Sequence, residues 1–458
     1  SKLVDGIKTL DVFVGKIAST QENGYNHIMK TLYSDKNMVY IENDKLNYNM
    51  VQNPIQALNI LYPHEELSEN NGPSDIKELV GKNGLERIMS YTEEKTPIPR
   101  RYDFDYKDRT TYETIFSPDK IGKYSSKIKA ICNSVIRSEG VVLVYSQFID
   151  GGLVPLALAL EQLGFTRAGT SNANLFKKES LPENRETTMK YAMITGDKAF
   201  SPDNVKELKL VTQPNNVDGK FAKVVLISRA GSEGLDFKFI RQVHIMEPWF
   251  NLNRIEQIIG RAVRTCSHKS VEFSKRNVEI YLHCLSLKSG VETVDMYMYR
   301  KAENKSIQIG KVSRVLKNVS ADCLINISQT SFDEKNMNQT VRLKLSSRDE
   351  NGNIKEIDYN VGDKPYSSTC DYMSSCQHQC NVVDLGKNVM DTYNSTFMYQ
   401  DIDEIRKSIK DLMVDDFFYS KEQLVSKLKK IKPYPESKID TALNDIVNKR
   451  EEIVDKYE

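Results

Sequence analysis

The chain has 458 residues, enough for two or three domains that each bury a core of their own. Its 64 basic and 63 acidic residues leave a formal charge of +1, so the bulk field selects no partner and any contact with nucleic acid rests on local patches. At 39% hydrophobic and 28% charged it has the make-up of a globular chain: no apolar run approaches a membrane span, and "SKLVDGIKTLDVFVGK" lacks the apolar block of a secretory signal. Seven cysteines, an odd number in a long chain, fit a reducing, non-secreted setting better than a disulfide framework.

Residues 1–121 read as mostly irregular or helical, with a turn cluster at "SENNGPSD" and a polar exit at "EEKTPIPRRYDFDYKDRTTYET". From about Lys123, amphipathic helices alternate with short apolar strands, the pattern of βα units around a parallel sheet. The candidate strands are "GVVLVYS" (140–146), "YAMITG" (191–196), "AKVVLIS" (222–228), "RQVHIME" (241–247) and "VEIYLHCLS" (278–286). They are continuous and β-branched, as strands buried on both faces should be. "GGLVPLALALEQLGF" and "NRIEQIIGRAVR" are helices between them, so 122–311 is expected to be an α/β domain with a parallel sheet flanked by helices. Residues 312–400, polar and rich in Ser, Asn and Asp, read as an insertion or loosely packed module. In 401–458, "DIDEIRKSIKDLM", "SKEQLVSKLKK" and "ESKIDTALNDIVNK" predict three short helices suited to a winged-helix unit whose hairpin would lie past Glu458.

Two motifs carry chemistry. In "NRIEQIIGRAVR" (253–264), Asn253 reads as the N-cap, and Glu256 three residues on completes a capping box. Gln257, Arg261 and Arg264 fall at i, i+4 and i+7 and share one face, Ile255, Ile258, Ile259, Ala262 and Val263 take the buried faces, and Gly260 leaves room for close approach. Taken alone, such arginines are more often a solvated helix edge. In "SRAGSEGLDF" (228–237), Gly231 and Gly234 let the backbone turn tightly after a strand. Ser232, Glu233 and Asp236 are then presented at the C-terminal edge, where open α/β sheets bind ligands, although a plain βα turn would use glycine in the same way.

Together with "VLVYSQF" (142–148), "YAMITGD" (191–197), "HIMEPWFNLNRIEQIIGRAVR" (244–264) and the "SH" at Ser267 and His268, these motifs resemble the second RecA-like lobe of superfamily 2 helicases and chromatin-remodelling-type ATPases. Within that superfamily the sequence is most similar to the nucleoside triphosphatase and early-transcription helicases of large DNA viruses, over about 122–290. The resemblance implies ATP with Mg²⁺ as cofactor, Arg264 as arginine finger, Arg261 on the γ-phosphate, and Gln257 on the triphosphate or attacking water. It places Glu233, Gly234 and Asp236 on the nucleotide side of the cleft between lobes. Ser146, Gln147, Thr195, Ser228 and Arg229 would touch backbone phosphates of DNA or RNA. A planar, always-charged guanidinium suits the finger role as lysine does not.

The same family needs a first lobe with G-x-x-x-x-G-K-[ST] and an acidic Mg²⁺ motif. "GKIAST" (15–20) lacks the required order, and "FDEKN" (332–336) follows no apolar strand. Residues 1–121 would then be the tail of that first lobe or the linker between lobes, with "VQNPIQALNILYPHEEL" (51–67) similar to the family's connecting segment. On this reading the parent chain supplies the first RecA-like lobe, and the 458 residues alone are not expected to hydrolyse ATP. The viral resemblance adds RNA polymerase as an expected partner and a cytoplasmic or virion-associated location. A competing reading is a non-catalytic transcription-factor or polymerase-docking module on a RecA-like scaffold, against which the Gln257, Arg261 and Arg264 set counts. An unrelated nucleotide-sugar or kinase-like α/β enzyme would share the sheet but not need that face.

Cys370, Cys376, His378 and Cys380 offer three thiolates and an imidazole, a tetrahedral set for Zn²⁺, with reduced cysteines on a polar loop as the alternative. Cys132, Cys266, Cys284 and Cys323 read as isolated, mostly buried residues. The basic run "SKLKKIKPYP" (426–435) reads as a solvated lysine face or a nucleic-acid contact.

Overall fold

The computed structural model describes residues 6–33, 48–69, 71–95, 99–169, 174–182, 188–202, 204–229, 235–325, 339–377, 379–381, 399–416 and 418–453. Its strands are β1 (Phe13–Lys16), β2 (Met89–Glu94), β3 (Arg100–Tyr106), β4 (Val141–Tyr145), β5 (Thr166–Arg167), β6 (Lys190–Ile194), β7 (Val224–Ile227), β8 (Ile240–Ile245), β9 (Glu279–Ser286), β10 (Thr340–Arg348) and β11 (Ile354–Asn360). The helices used below are α1 (Ser19–Leu32), α2 (Tyr48–Asn59), α3 (Ser126–Arg137), α4 (Val154–Gln162), α5 (Leu252–Ala262) and α6 (Val294–Val319).

Seven strands form one sheet in the order β1-β9-β8-β4-β7-β6-β5, and each neighbouring pair is parallel. Every residue of β4 and β7 is buried, because the two-residue period divides each strand between two apolar layers. Val142, Val144, Val224 and Leu226 pack into the core that holds α3 and α4. Leu143, Tyr145, Val225 and Ile227 pack into the opposite one with α5. Helix α4, "VPLALALEQ", is buried on almost every side, as an apolar helix between sheet and surface layers must be. Helix α3 starts where the Ser125 hydroxyl accepts from the Ile128 N–H at 3.0 Å.

The chain divides into two compact units, Ser1–Cys380 and Asn381–Glu458. The expected boundaries near 121 and 311 are therefore not where the fold divides. Strand β1 continues the parallel sheet beside β9, from Phe13 opposite His283 to Lys16 opposite Ser286. Helices α1 and α2 share a core with the first turns of α6 through Tyr25, Ile28, Val51, Ile55, Val294 and Tyr297. Hairpin β2–β3 adds Met89, Phe104 and Tyr106 to the α3–α4 core. The N-terminal segment is built into the lobe rather than hung from it.

The polar region after 311 is likewise not loosely packed where it is described. Helix α6 runs on to Val319, and the antiparallel hairpin β10–β11 docks on the sheet through Glu279. That carboxylate accepts from the backbone and hydroxyl of Ser346 (3.0 and 2.6 Å) and of Ser347 (2.9 and 2.5 Å).

The second unit contains the three expected helices, α7 (Ile402–Asp415), α8 (Lys421–Ile431) and α9 (Glu436–Lys449), around Ile405, Leu428, Ile439 and Ala442. Ser420 and Gln423 close a capping box at α8. Three lysines of the basic run face carboxylates: Lys427 lies 3.8 Å from Asp416, Lys429 3.7 Å from Glu436, and Lys432 3.0 Å from Glu404. Their charge is matched within the unit. Among the described residues no helix is long and apolar enough to cross a membrane.

Candidate functional site

Tyr145 pairs in register with both Ile227 and Ile245, and Ile194 pairs with Ile227, so four strands end on one row. The next residues, Ser146, Thr195, Ser228 and Met246, therefore line the C-terminal edge together. Sequence distance hides this convergence; the parallel register creates it.

At that edge the expected phosphate-contacting hydroxyls are buried and already bonded within the protein. Ser146 Oγ donates to Glu247 Oε2 at 2.9 Å, and Thr195 Oγ1 lies 2.9 Å from Ser201 Oγ. Ser228 Oγ accepts from the Gly196 N–H at 3.3 Å. Arg229 is exposed, whereas Gln147 is half-buried and its side-chain nitrogen is buried with no hydrogen bond among the described residues. The Gln147 carbonyl oxygen accepts from Arg254 at 3.5 Å, and the Arg254 guanidinium lies 3.5 Å from the centre of the Trp249 ring. Tyr48 meets the same ring edge-on at 5.2 Å. Trp249 and Arg254 were in view in the sequence, inside "EPWFNLNR", but carried no assigned role.

Behind the edge lies a buried polar network that sequence reasoning missed. Glu247 accepts from the Gln147 N–H at 2.5 Å and from Asn59 Nδ2 at 2.8 Å, in addition to Ser146. Burial pushes its carboxyl up to about 7, against the opposing pull of these donors and nearby Lys127. Lys127 Nζ donates to Asn59 Oδ1 at 3.1 Å and to the Met246 carbonyl at 2.7 Å, and it pairs with Asp295 at 2.7 Å in full burial. The available signal was a single acid closing an apolar strand.

The second motif meets the first at helix α5. Arg264 Nη1 lies 2.7 Å from Asp236 Oδ1, with the two side chains 40% and 60% exposed. Arg261 Nη1 reaches the Leu235 carbonyl at 3.5 Å, and the Phe237 N–H donates to the Arg261 carbonyl at 3.3 Å. Gln257 is exposed on the same helix face. The helix begins earlier than expected: its N-cap is Asn251, without a side-chain cap bond, so the Asn253–Glu256 capping box does not form. Glu256 instead accepts from the Tyr372 hydroxyl. Gly260 faces open space rather than a close neighbour, since a Cβ there would meet nothing within 4 Å. Gly231, Ser232, Glu233, Gly234 and His378 lie outside the described residues.

The sulfurs of the expected zinc set are placed in pairs. Cys370 bonds Cys376, and Cys323 bonds Cys380, so the three thiols proposed as ligands are placed for disulfides. Among the described residues no group of three or more His, Cys, Asp or Glu is placed to hold a metal. Cys323 is thus partnered and Cys266 exposed, whereas Cys132 and Cys284 are buried and free as expected.

Residues 126–266 match the family model of the helicase conserved C-terminal domain. "Putative ATP-dependent RNA helicase L377" of Acanthamoeba polyphaga mimivirus is 24% identical over 73% of this chain and 33% of its own length. "Putative helicase 087L" of Invertebrate iridescent virus 3 is 28% identical over 72% of this chain and 30% of its own. "Termination factor NPH-I homolog" of African swine fever virus is 28% identical over 44% of this chain and 33% of its own. The chain spans about a third of the length of these viral relatives, 30% to 33%.

Proposed function

We propose that this chain is the C-terminal motor lobe of a viral, nucleic-acid-dependent ATPase of the helicase or translocase type, linked to transcription. The observation that carries the reading is the cluster at the end of α5, where half-buried Arg261 and, just past the helix, exposed Arg264 stand by Asp236, with Gln257 exposed one turn earlier. Arg264, 40% exposed and held only by Asp236 and the Gly260 carbonyl, is accessible to a triphosphate. The Arg264–Asp236 pair is exposed, and such pairs contribute only about 0–1 kcal/mol, so releasing the finger costs little. ATP with Mg²⁺ supplies the phosphoanhydride whose cleavage drives the cycle, with the metal expected on a first RecA-like lobe. Arg264 then neutralises charge on the transferring phosphoryl oxygens, Arg261 steadies the γ-phosphate, and Gln257 orients the attacking water. Asp236 receives Arg264 again when the lobes separate.

On the nucleic-acid side, Arg229 is the side chain open to a phosphate backbone, with half-buried Gln147 beside it, while Ser146, Thr195 and Ser228 shape the edge and offer backbone amides. Trp249 and Arg254 add a flat aromatic and a cation, the pairing on which bases stack without sequence preference. Glu247 holds the Ser146–Gln147 turn in place from beneath.

The test is steady-state ATP hydrolysis by the polypeptide that joins this chain to a nucleotide-binding lobe, with and without DNA and RNA. Arg264→Ala should lower kcat by about 10³-fold or more, as finger removal does elsewhere, without unfolding the protein. Wild-type turnover in that variant would sink the finger assignment. No turnover in the wild type under any nucleic acid would favour the scaffold reading.

A further inference from the structure

The segment carrying the two disulfides is fixed to the back of α6. Arg314 donates from Nε to Asp371 at 2.8 Å and from its other nitrogens to the carbonyls of Cys370 (2.9 Å), Ser375 (3.1 Å) and Gln377 (2.8 Å). Lys317 Nζ reaches the other Asp371 oxygen at 2.5 Å. The approach is closest at Gly310, where a Cβ would sit 1.8 Å from the Asp371 carbonyl oxygen. Asp371 and Tyr372 both hold left-handed backbone, φ 53° and 54°, a conformation that non-glycine residues keep only when their surroundings impose it.

That turn aims Tyr372 at the arginine-bearing helix. Its ring packs among the residues of the α5 side of the sheet, and its hydroxyl donates to Glu256. Glu256 immediately precedes Gln257 and stands beside the Gln257, Arg261 and Arg264 face.

We infer that Tyr372 is a positioning residue: the disulfide-bearing segment acts as a strut that holds α5 through the Tyr372–Glu256 hydrogen bond and so sets where Arg261 and, just past the helix end, Arg264 stand. The inference rests on the proposed ATPase role for its catalytic consequence but not for its structural one. The buried Leu252, Ile255, Ile258 and Ala262 hold α5 against the sheet by non-directional packing, and the Tyr372 bond adds a directional restraint near the arginines, where finger geometry tolerates little displacement. Tyr372 touches no substrate; it acts through α5.

Two measurements separate this from a merely structural contact and from failure of the ATPase reading. The first is amide hydrogen exchange along α5 in this 458-residue chain, which needs no activity. Tyr372→Phe and Glu256→Ala should each raise exchange at Gln257–Ala262 on the order of tenfold while leaving the β4 and β7 amides unchanged. Glu256→Gln retains a carbonyl acceptor and should stay near wild type. The second is ATP kinetics in the polypeptide joined to a nucleotide-binding lobe, where Tyr372→Phe should lower kcat on the order of tenfold with KM unchanged, and Glu256→Gln should again be spared. Unchanged exchange in Tyr372→Phe overturns the strut, as does Glu256→Gln falling as far as Glu256→Ala. If the wild type turns over no ATP, the catalytic reading fails and the exchange experiment alone decides the strut.

Discussion

Lys127 and Asp295 lie 2.7 Å apart with 1% and 0% of their side chains exposed, joining α3 to the start of α6 beneath the strand edge. Removing one member of such a pair leaves an uncompensated charge in the interior, which costs about 3–5 kcal/mol. Asp295→Ala should therefore lower the urea-unfolding free energy by about that amount. A loss under about 1 kcal/mol would mean that Asn59 and the Met246 carbonyl suffice for the ammonium. Arg264→Ala, by contrast, should stay within about 1 kcal/mol of wild type, because its partner Asp236 is exposed. The contrast explains what was readable at this scale. Helical spacing inside "NRIEQIIGRAVR" puts Gln257 and Arg261 on one face, but α5 ends at Ala262, so Arg264 meets Asp236 from beyond the helix, and Val263, expected on a buried face, is 52% exposed. The Lys127–Asp295 pair, the Glu247 hub and the Tyr372–Glu256 bond each join distant segments that a linear pattern does not connect. The capping-box expectation failed for the same reason, since Glu256 takes a partner 116 residues away in sequence in place of its own helix start.

At the level of elements, the central strands were legible because burial on both faces leaves unbroken apolar runs, as in "VVLVY" and "VVLI". Strand β1, "FVGK", is an edge strand with half-exposed residues and a glycine, and β5 has two residues, so neither leaves such a run. Hairpin β10–β11 was read as loose because most of β11 is exposed and its docking is polar. Burial alone would raise the Glu279 carboxyl, but its donors outweigh this and hold it below the usual carboxylate range. One ionised side chain is thus the principal tie of the hairpin, beside the Arg241 and Asn277 bonds to the Lys344 carbonyl and the Arg348–Glu139 pair. Glu279→Ala should free it: limited proteolysis near Asp349–Gly352 should speed on the order of tenfold while the central sheet stays folded. Equal cleavage rates in the two proteins would show that the Arg241–Lys344 contact at 2.8 Å anchors the hairpin instead.

For the whole unit, two buried imidazoles and two buried carboxyls pull the response to pH in opposite directions between about pH 7 and 5. His244 and His283, 2.9 Å apart, are held below their ordinary pKa chiefly by burial, His244 down to about 3 and His283 well below 6.5. The native state keeps both neutral while the unfolded chain protonates them, so their contribution is present above about 6.5 and is lost as pH falls. Glu161 and Glu247 are each pushed up by burial from 4.5 to about 7. The native state then binds two protons that the unfolded chain does not, so their contribution is present below 4.5 and is lost as pH rises through about 7. Between about pH 7 and 5 the two imidazoles and two carboxyls act in opposite directions and nearly cancel. The melting temperature of the wild type should stay level across that window and fall steeply below about pH 4.5, where both carboxyls are protonated in either state and the imidazole loss continues unopposed. Glu161→Gln keeps an acceptor for the Leu175 and Phe176 amides yet removes one titrating carboxyl. In that variant the fall should begin near pH 6.5, tracked by thermal scans at half-unit steps. A Glu161→Gln profile running parallel to wild type from pH 7 to 5 would mean that Glu161 is already ionised in the native protein, and that the cancellation has another source.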